Sequence, residues 1–120
     1  MPEPRLSTTV LLLRPEPGGG FSVFMLRRHR RSGFLPHAWV FPGGVVDPGD
    51  RLVGHPAIRG GERVIAHLGL EQEEGLAVLI AGVRETFEES GIWLGEGHLP
   101  EEVRQPLARG DLSLGKLLDA

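Results

Sequence analysis

Arg84-Glu85-Thr86-Phe87-Glu88-Glu89-Ser90-Gly91-Ile92 sits inside an apolar pattern of helical period. At about 100° per residue, Glu85, Glu88 and Glu89 share an arc of roughly 100° on one helix face. Leu76, Leu79, Ile80, Val83 and Phe87 gather on the opposite side, as on a helix packed against a core. Three carboxylates on one rigid face form an all-oxygen donor set, which suits a hard divalent cation such as Mg²⁺. Taken alone, the same residues read equally as a solvated acidic face.

Upstream, Phe41-Pro42-Gly43-Gly44-Val45-Val46-Asp47-Pro48-Gly49-Asp50 reads as a glycine-rich turn entered from a short strand, Ala38-Trp39-Val40-Phe41. Together the two segments resemble the Nudix hydrolase box, G-x5-E-x7-R-E-U-x-E-E-x-G-U, with U an apolar residue. Gly44 and Asp50 match the first part, with Asp in place of Glu. Arg84, Glu85, Glu88, Glu89, Gly91 and Ile92 match the second. Thr86 stands where the family has an aliphatic residue, at the edge of the buried arc. Between Asp50 and Arg84 lie 33 residues where the family pattern has seven, so the box is split by an insertion of 26. A split box resembles the coenzyme A and acyl-coenzyme A diphosphatase branch. The basic approach Met25-Leu26-Arg27-Arg28-His29-Arg30-Arg31-Ser32-Gly33-Phe34-Leu35-Pro36 looks like that branch too.

The resemblance implies an α/β fold, a Nudix-type α/β/α sandwich, and hydrolysis of a diphosphate linkage in a nucleoside diphosphate derivative. Coenzyme A or its acyl esters are the first expectation; ADP-ribose or a nucleotide sugar is the alternative, and a noncatalytic ligand-binding module is the rival from another class. It implies Mg²⁺ or Mn²⁺ held by Glu85, Glu88 and Glu89, with the Gly43 carbonyl as a further ligand because glycine lets the main chain approach closely. Arg84 would orient the first carboxylate; its bland role is an i,i+4 pair with Glu88. Glu85 is a candidate general base, beside an acid from a later loop. Arg30, Arg31 and Gly44 form the expected substrate-binding set, although the basic run also reads as a solvated loop. Asp50 reads as a turn residue or as a partner of the metal or an arginine, and Asp47 as turn chemistry.

Bulk properties set bounds. A chain of 120 residues is one domain with a modest core. Its net charge of −3 argues against nonspecific nucleic-acid binding. Without cysteine it has no disulfide or thiolate site. The start, Met1-Pro2-Glu3-Pro4, has no signal-peptide character, and the reading is a cytoplasmic protein with a small nucleotide-type substrate and no membrane partner. The five histidines lack zinc spacing. Trp39 and Trp93 read as core or pocket-wall aromatics.

Along the chain, 7–14 reads as a buried strand, 15–20 as a turn and 21–26 as the returning strand of a hairpin. The domain is expected to span 1–120, with the insertion at about 51–74. A short helix is expected over 62–68 ended by Gly69, and the box helix over about 74–90 ended by Gly91. Leu99-Pro100-Glu101-Glu102 reads as a helix start, and 112–118 as a last helix capped by Asp111 or Ser113. Nudix domains place further strands and a second large helix after the box region. The expectation is therefore a sandwich incomplete at the C-terminus, or one whose bare sheet surface another chain covers, with self-association as a consequence.

Overall fold

The computed structural model describes residues 3–29, 33, 35–52 and 58–118. Six short strands come first: β1 (Ser7–Thr9), β2 (Leu13–Pro15), β3 (Phe21–Val23), β4 (Leu26–Arg27), β5 (Trp39–Val40) and β6 (Gly43–Val45). A 3₁₀ turn, Pro48–Leu52, leads to α1 (Gly61–Leu68) and the long α2 (Gln72–Ser90). A second 3₁₀ turn, Glu101–Val103, then runs into α3 (Arg104–Ala108), and α4 (Leu114–Leu118) follows. Among the described residues, no helix is long and apolar enough to cross a membrane.

All strand pairs are antiparallel. β2 and β3 form the expected hairpin, with Leu13 opposite Val23, and β4 pairs with β5. β1 pairs with β6, placing Thr8 opposite Gly44 and Thr9 opposite Gly43. The expected glycine turn is therefore a strand at its glycines and turns only after Val45. The reason lies across the ladder: a Cβ at Gly43 would overlap the Thr8 carbonyl, so only glycine lets β6 come this close to β1.

The 7–14 run is not the buried strand its apolar sequence suggests. It breaks into β1 and β2, and alternate residues face opposite ways. Thr8, Val10 and Leu12 are half-buried, whereas Leu11 and Leu13 stay exposed, as do Phe21, Val23, Met25, Trp39 and Phe41. α2 packs on β1 and β6, and an apolar groove of about 550 Å³ lies along β2, β3 and Trp39. Trp39, 62% exposed, lines this groove with the Arg27 guanidinium 6.0 Å from its ring, so it is a groove wall and not a core residue.

α2 is covered on two sides. Small residues let it approach the strands, and Gly82 sits against Val10 and Thr8. Its large apolar side packs on the C-terminal segment, where Ile80 and Phe87 join Leu107 and Leu114 in the core. Trp93 meets Phe87 edge-on at 6.2 Å, as a core aromatic. Thr86, expected at the edge of the buried arc, is fully buried, and its hydroxyl donates to the Gly82 carbonyl at 2.7 Å. That bond is what allows a polar side chain there. Inside the sequence insertion, α1 lies on α2 with Ile65 buried against Gly75, so part of this excursion belongs to the core.

Candidate active site

Going one turn at a time along α2 from Gly82, Glu85 and Glu89 continue the stripe that faces the strands. Here β6 supplies glycines. A Cβ at Gly44 would overlap the Glu85 carboxylate, and the Gly43 N–H donates to Glu89 Oε1 at 2.9 Å. The two parts of the split motif thus lie against each other, although Gly43 and Glu89 are 46 positions apart.

Arg84 binds the two parts together. It is 5% exposed, and each of its five N–H donors has an acceptor. Nε and Nη2 form a fork on Asp50 at 2.9 and 3.0 Å, and Nη2 also donates to the Val45 carbonyl at 3.1 Å. Nη1 donates to Glu85 at 3.0 Å and to Glu88 at 3.1 Å. The pairing with Glu88 is therefore one contact among several. Asp50, 3% exposed, also accepts the Asp47 N–H at 2.8 Å. Asp47 itself is mostly exposed, with its carboxylate 3.5 Å from Arg84.

Charge does not balance here. Four carboxylates, those of Asp47, Asp50, Glu85 and Glu88, lie within ion-pair distance of the single Arg84 guanidinium, and Glu89 stands beside them. Burial alone would lower the Arg84 pKa, but the bond to Asp50 and the surrounding charges hold it above its ordinary value. The glutamates carry the cost. Burial pushes Glu85 up to about 7, with Arg84 opposing and Glu88 and Glu89 adding to the rise. Glu88 and Glu89 are also raised, chiefly by burial; Arg84 opposes the first, and the Gly43 N–H and Arg28 oppose the second.

These donors fit a hard divalent cation by chemistry: all oxygen, half-buried at Glu85 and Glu88, exposed at Glu89, and in excess over their counter-charge. As placed, no three acidic or histidine side chains among the described residues converge on one point. Glu85 and Glu88 turn toward Arg84, and Glu89 toward the Gly43 N–H. Each carboxylate has acceptor positions beyond these bonds, so a shared cation would require the three to turn toward one point while keeping such partners.

A pocket of about 430 Å³ opens beside Glu89, lined by Arg27, Arg28, His29, Phe41 and Gly43 among others. The larger apolar groove lies on the exposed strand face, away from the carboxylates. Arg30 and Arg31, expected to meet substrate, lie outside the described residues. Sequence reading missed Arg104, whose Nε donates to the Glu88 carbonyl at 2.9 Å. No local pattern signals a contact across 16 positions.

A similar fold exists in a solved structure. The NUDIX hydrolase from Alicyclobacillus acidocaldarius matches 99% of this chain with a TM-score of 0.72 and 26% identity. The acyl-coenzyme A diphosphatase NUDT19 of Gallus gallus is 37% identical over 77% of this chain. The chain belongs to the Nudix hydrolase family. The Homo sapiens protein of the same name is 31% identical over 68% of this chain. No protein-family model matches the sequence. The chain spans only 31% and 28% of those two relatives, and 55% of the solved Nudix structure.

Proposed function

We propose that this chain carries the metal-binding and diphosphate-hydrolysing site of a Nudix enzyme that acts on coenzyme A or an acyl-coenzyme A. The observation that carries the reading is the Arg84 guanidinium, buried and shared among Asp50, Glu85 and Glu88 while β6 rests on Glu85 and Glu89. A solvated acidic face has no use for a buried five-donor cation set against carboxylates in excess.

In this reading Arg84 positions Glu85 and Glu88, and Asp50 positions Arg84. Glu88 and Glu89 would be ligands of Mg²⁺ or Mn²⁺ together with Glu85 and the Gly43 carbonyl. The cation, when bound, would offset charge on the diphosphate oxygens and acidify the attacking water. Glu85 is the candidate general base; burial raises it to about 7 in the metal-free protein, and a bound cation would draw it back toward the ionised form that a base needs. Arg27 and Arg28 give the pocket beside Glu89 positive charge for substrate phosphates, and Arg30 and Arg31 continue that basic run. The names of the curated relatives favour coenzyme A thioesters over ADP-ribose or nucleotide sugars.

Calorimetric titration of Mn²⁺ into the wild type, Glu88→Gln and Glu89→Gln, followed by hydrolysis of coenzyme A, ADP-ribose and a nucleotide sugar, tests the proposal. Loss of metal binding and of turnover in both variants is expected, with coenzyme A preferred by the wild type. Wild-type Mn²⁺ affinity in both variants would remove the metal site.

A further inference from the structure

The last turn of α2 carries Glu88 and Glu89, and a helix end is where backbone order is weakest. Its final carbonyls have no partner within the helix, and such ends open locally long before the whole molecule unfolds. Here two of them are bound. The Phe87 carbonyl accepts the Gly91 N–H at 2.8 Å, with Gly91 in the left-handed conformation at φ 78°. The Glu88 carbonyl accepts Arg104 Nε at 2.9 Å, a donor that comes from the first residue of α3. Arg104 is held in turn: its Nη1 donates to Glu101 at 3.0 Å, and the guanidinium lies directly over Gly91. A cation at a helix C-terminus also complements the helix dipole.

Glu88 is therefore gripped at both ends. Arg104 holds its backbone, and Arg84 holds its carboxylate at 3.1 Å. We propose that Arg104 is a positioning residue for the carboxylate face: by fixing the last turn of α2 it sets where Glu88 and Glu89 can reach, and so tunes divalent-cation binding. Arg104 touches neither carboxylate, and acts only through the backbone of the residue it clamps. The inference rests on the metal-site reading of Glu88 and Glu89 proposed above. It adds that the C-terminal segment, outside the two motif halves, helps to build the site.

The test pairs Arg104→Met, which keeps an apolar stem without the donor, with Arg104→Lys, which restores a charged donor. Mn²⁺ affinity is measured by calorimetry at a temperature where each variant is folded, together with amide exchange at Gly91 and Ile92. The expected result is faster exchange at those two amides in Arg104→Met and Mn²⁺ binding weaker by about tenfold, the scale of one charge-assisted hydrogen bond. Arg104→Lys should recover part of both. A purely structural role would lower the melting temperature without moving the affinity of the folded protein. Unchanged affinity in Arg104→Met, alongside loss of binding in Glu89→Gln, would overturn the inference and leave the metal site standing. Unchanged affinity in Glu88→Gln and Glu89→Gln would overturn both. If Arg104→Met proves unfolded, Glu101→Gln, which frees the guanidinium from its anchor, must show a smaller loss of the same kind or the inference fails.

Discussion

Replacing Asp50 by asparagine should be the most damaging single-atom change in this protein. The Asp50 carboxylate is 3% exposed and accepts three short bonds: Arg84 Nε at 2.9 Å, Arg84 Nη2 at 3.0 Å and the Asp47 N–H at 2.8 Å. An amide keeps one acceptor oxygen and turns an NH₂ group toward a donor, so at least one buried bond is lost. Removing one partner of a buried ion pair costs about 3–5 kcal/mol. Arg84 retains Glu85, Glu88 and Asp47 as counter-charges, which places the expectation at the lower end, about 3 kcal/mol. At roughly 3–5 °C per kcal/mol for a domain of this size, the melting temperature should fall by about 10–15 °C. Asp47→Asn is the internal control: that carboxylate is mostly exposed and 3.5 Å from Arg84, so the change should cost under about 0.5 kcal/mol. Asp50→Glu keeps the charge but adds a methylene to a closed site, so it should fall between them at about 1–2 kcal/mol. Urea denaturation of the three variants reads these differences. A loss in Asp50→Asn below about 1 kcal/mol, or one equal to that of Asp47→Asn, would refute the claim that this pair ties the glycine segment to α2.

Three further outcomes follow from the same geometry. In the metal-free protein Glu85 keeps its proton up to about pH 7, whereas the unfolded chain loses it near 4.5; native protein then binds more protons between these values, so stability should fall as pH rises through that window and Glu85→Gln should flatten the slope. Urea melts at pH 5, 6, 7 and 8 check it, and parallel slopes would count against it. Gly44→Ala should displace the Glu85 carboxylate that its Cβ would overlap, weakening Mn²⁺ binding and costing about 1–3 kcal/mol of stability by calorimetry and thermal melting. The chain should also associate with a second copy through the bare strand face, where Leu11, Leu13, Phe21, Val23 and Trp39 stand exposed; sedimentation should show dimers that Leu13→Lys with Val23→Lys disperses, and a monomer at all concentrations would refute it.

How much of this could be read from sequence depends on whether the deciding contact was local. α2 was legible almost to the residue, because a 3.6-residue apolar period and a terminal glycine are properties of the helix itself: it runs Gln72–Ser90 with Gly91 left-handed. The same holds for α1, which ends at Gly69, and for Ser113, whose hydroxyl accepts the Lys116 N–H at the start of α4. The strands were harder. Val10-Leu11-Leu12-Leu13 looks buried on both faces, yet only the alternate residues Val10 and Leu12 are even half-buried, since burial of the other face depends on whatever lies against it. Gly43 and Gly44 resemble a turn because glycine is a poor strand former, and their reason for being glycine belongs to Thr8 and Glu85.

The long spacing between Asp50 and Arg84 leaves their contact intact. Asp50 and Arg84 are 34 positions apart, and closing a longer loop costs only about 0.6 kcal/mol for each doubling of its length. Going from seven to 33 intervening residues is a little over two doublings, about 1.3 kcal/mol, which is less than the cost of breaking the buried fork between guanidinium and carboxylate. The intervening chain offsets part of that loop penalty, because Ile65 of α1 buries itself against Gly75 of α2. What must be preserved is therefore a set of contacts: Gly43 to Glu89, Gly44 to Glu85 and Asp50 to Arg84. Sequence spacing is only the shortest way to secure them, and a chain that secures them through packing is free to spend residues in between.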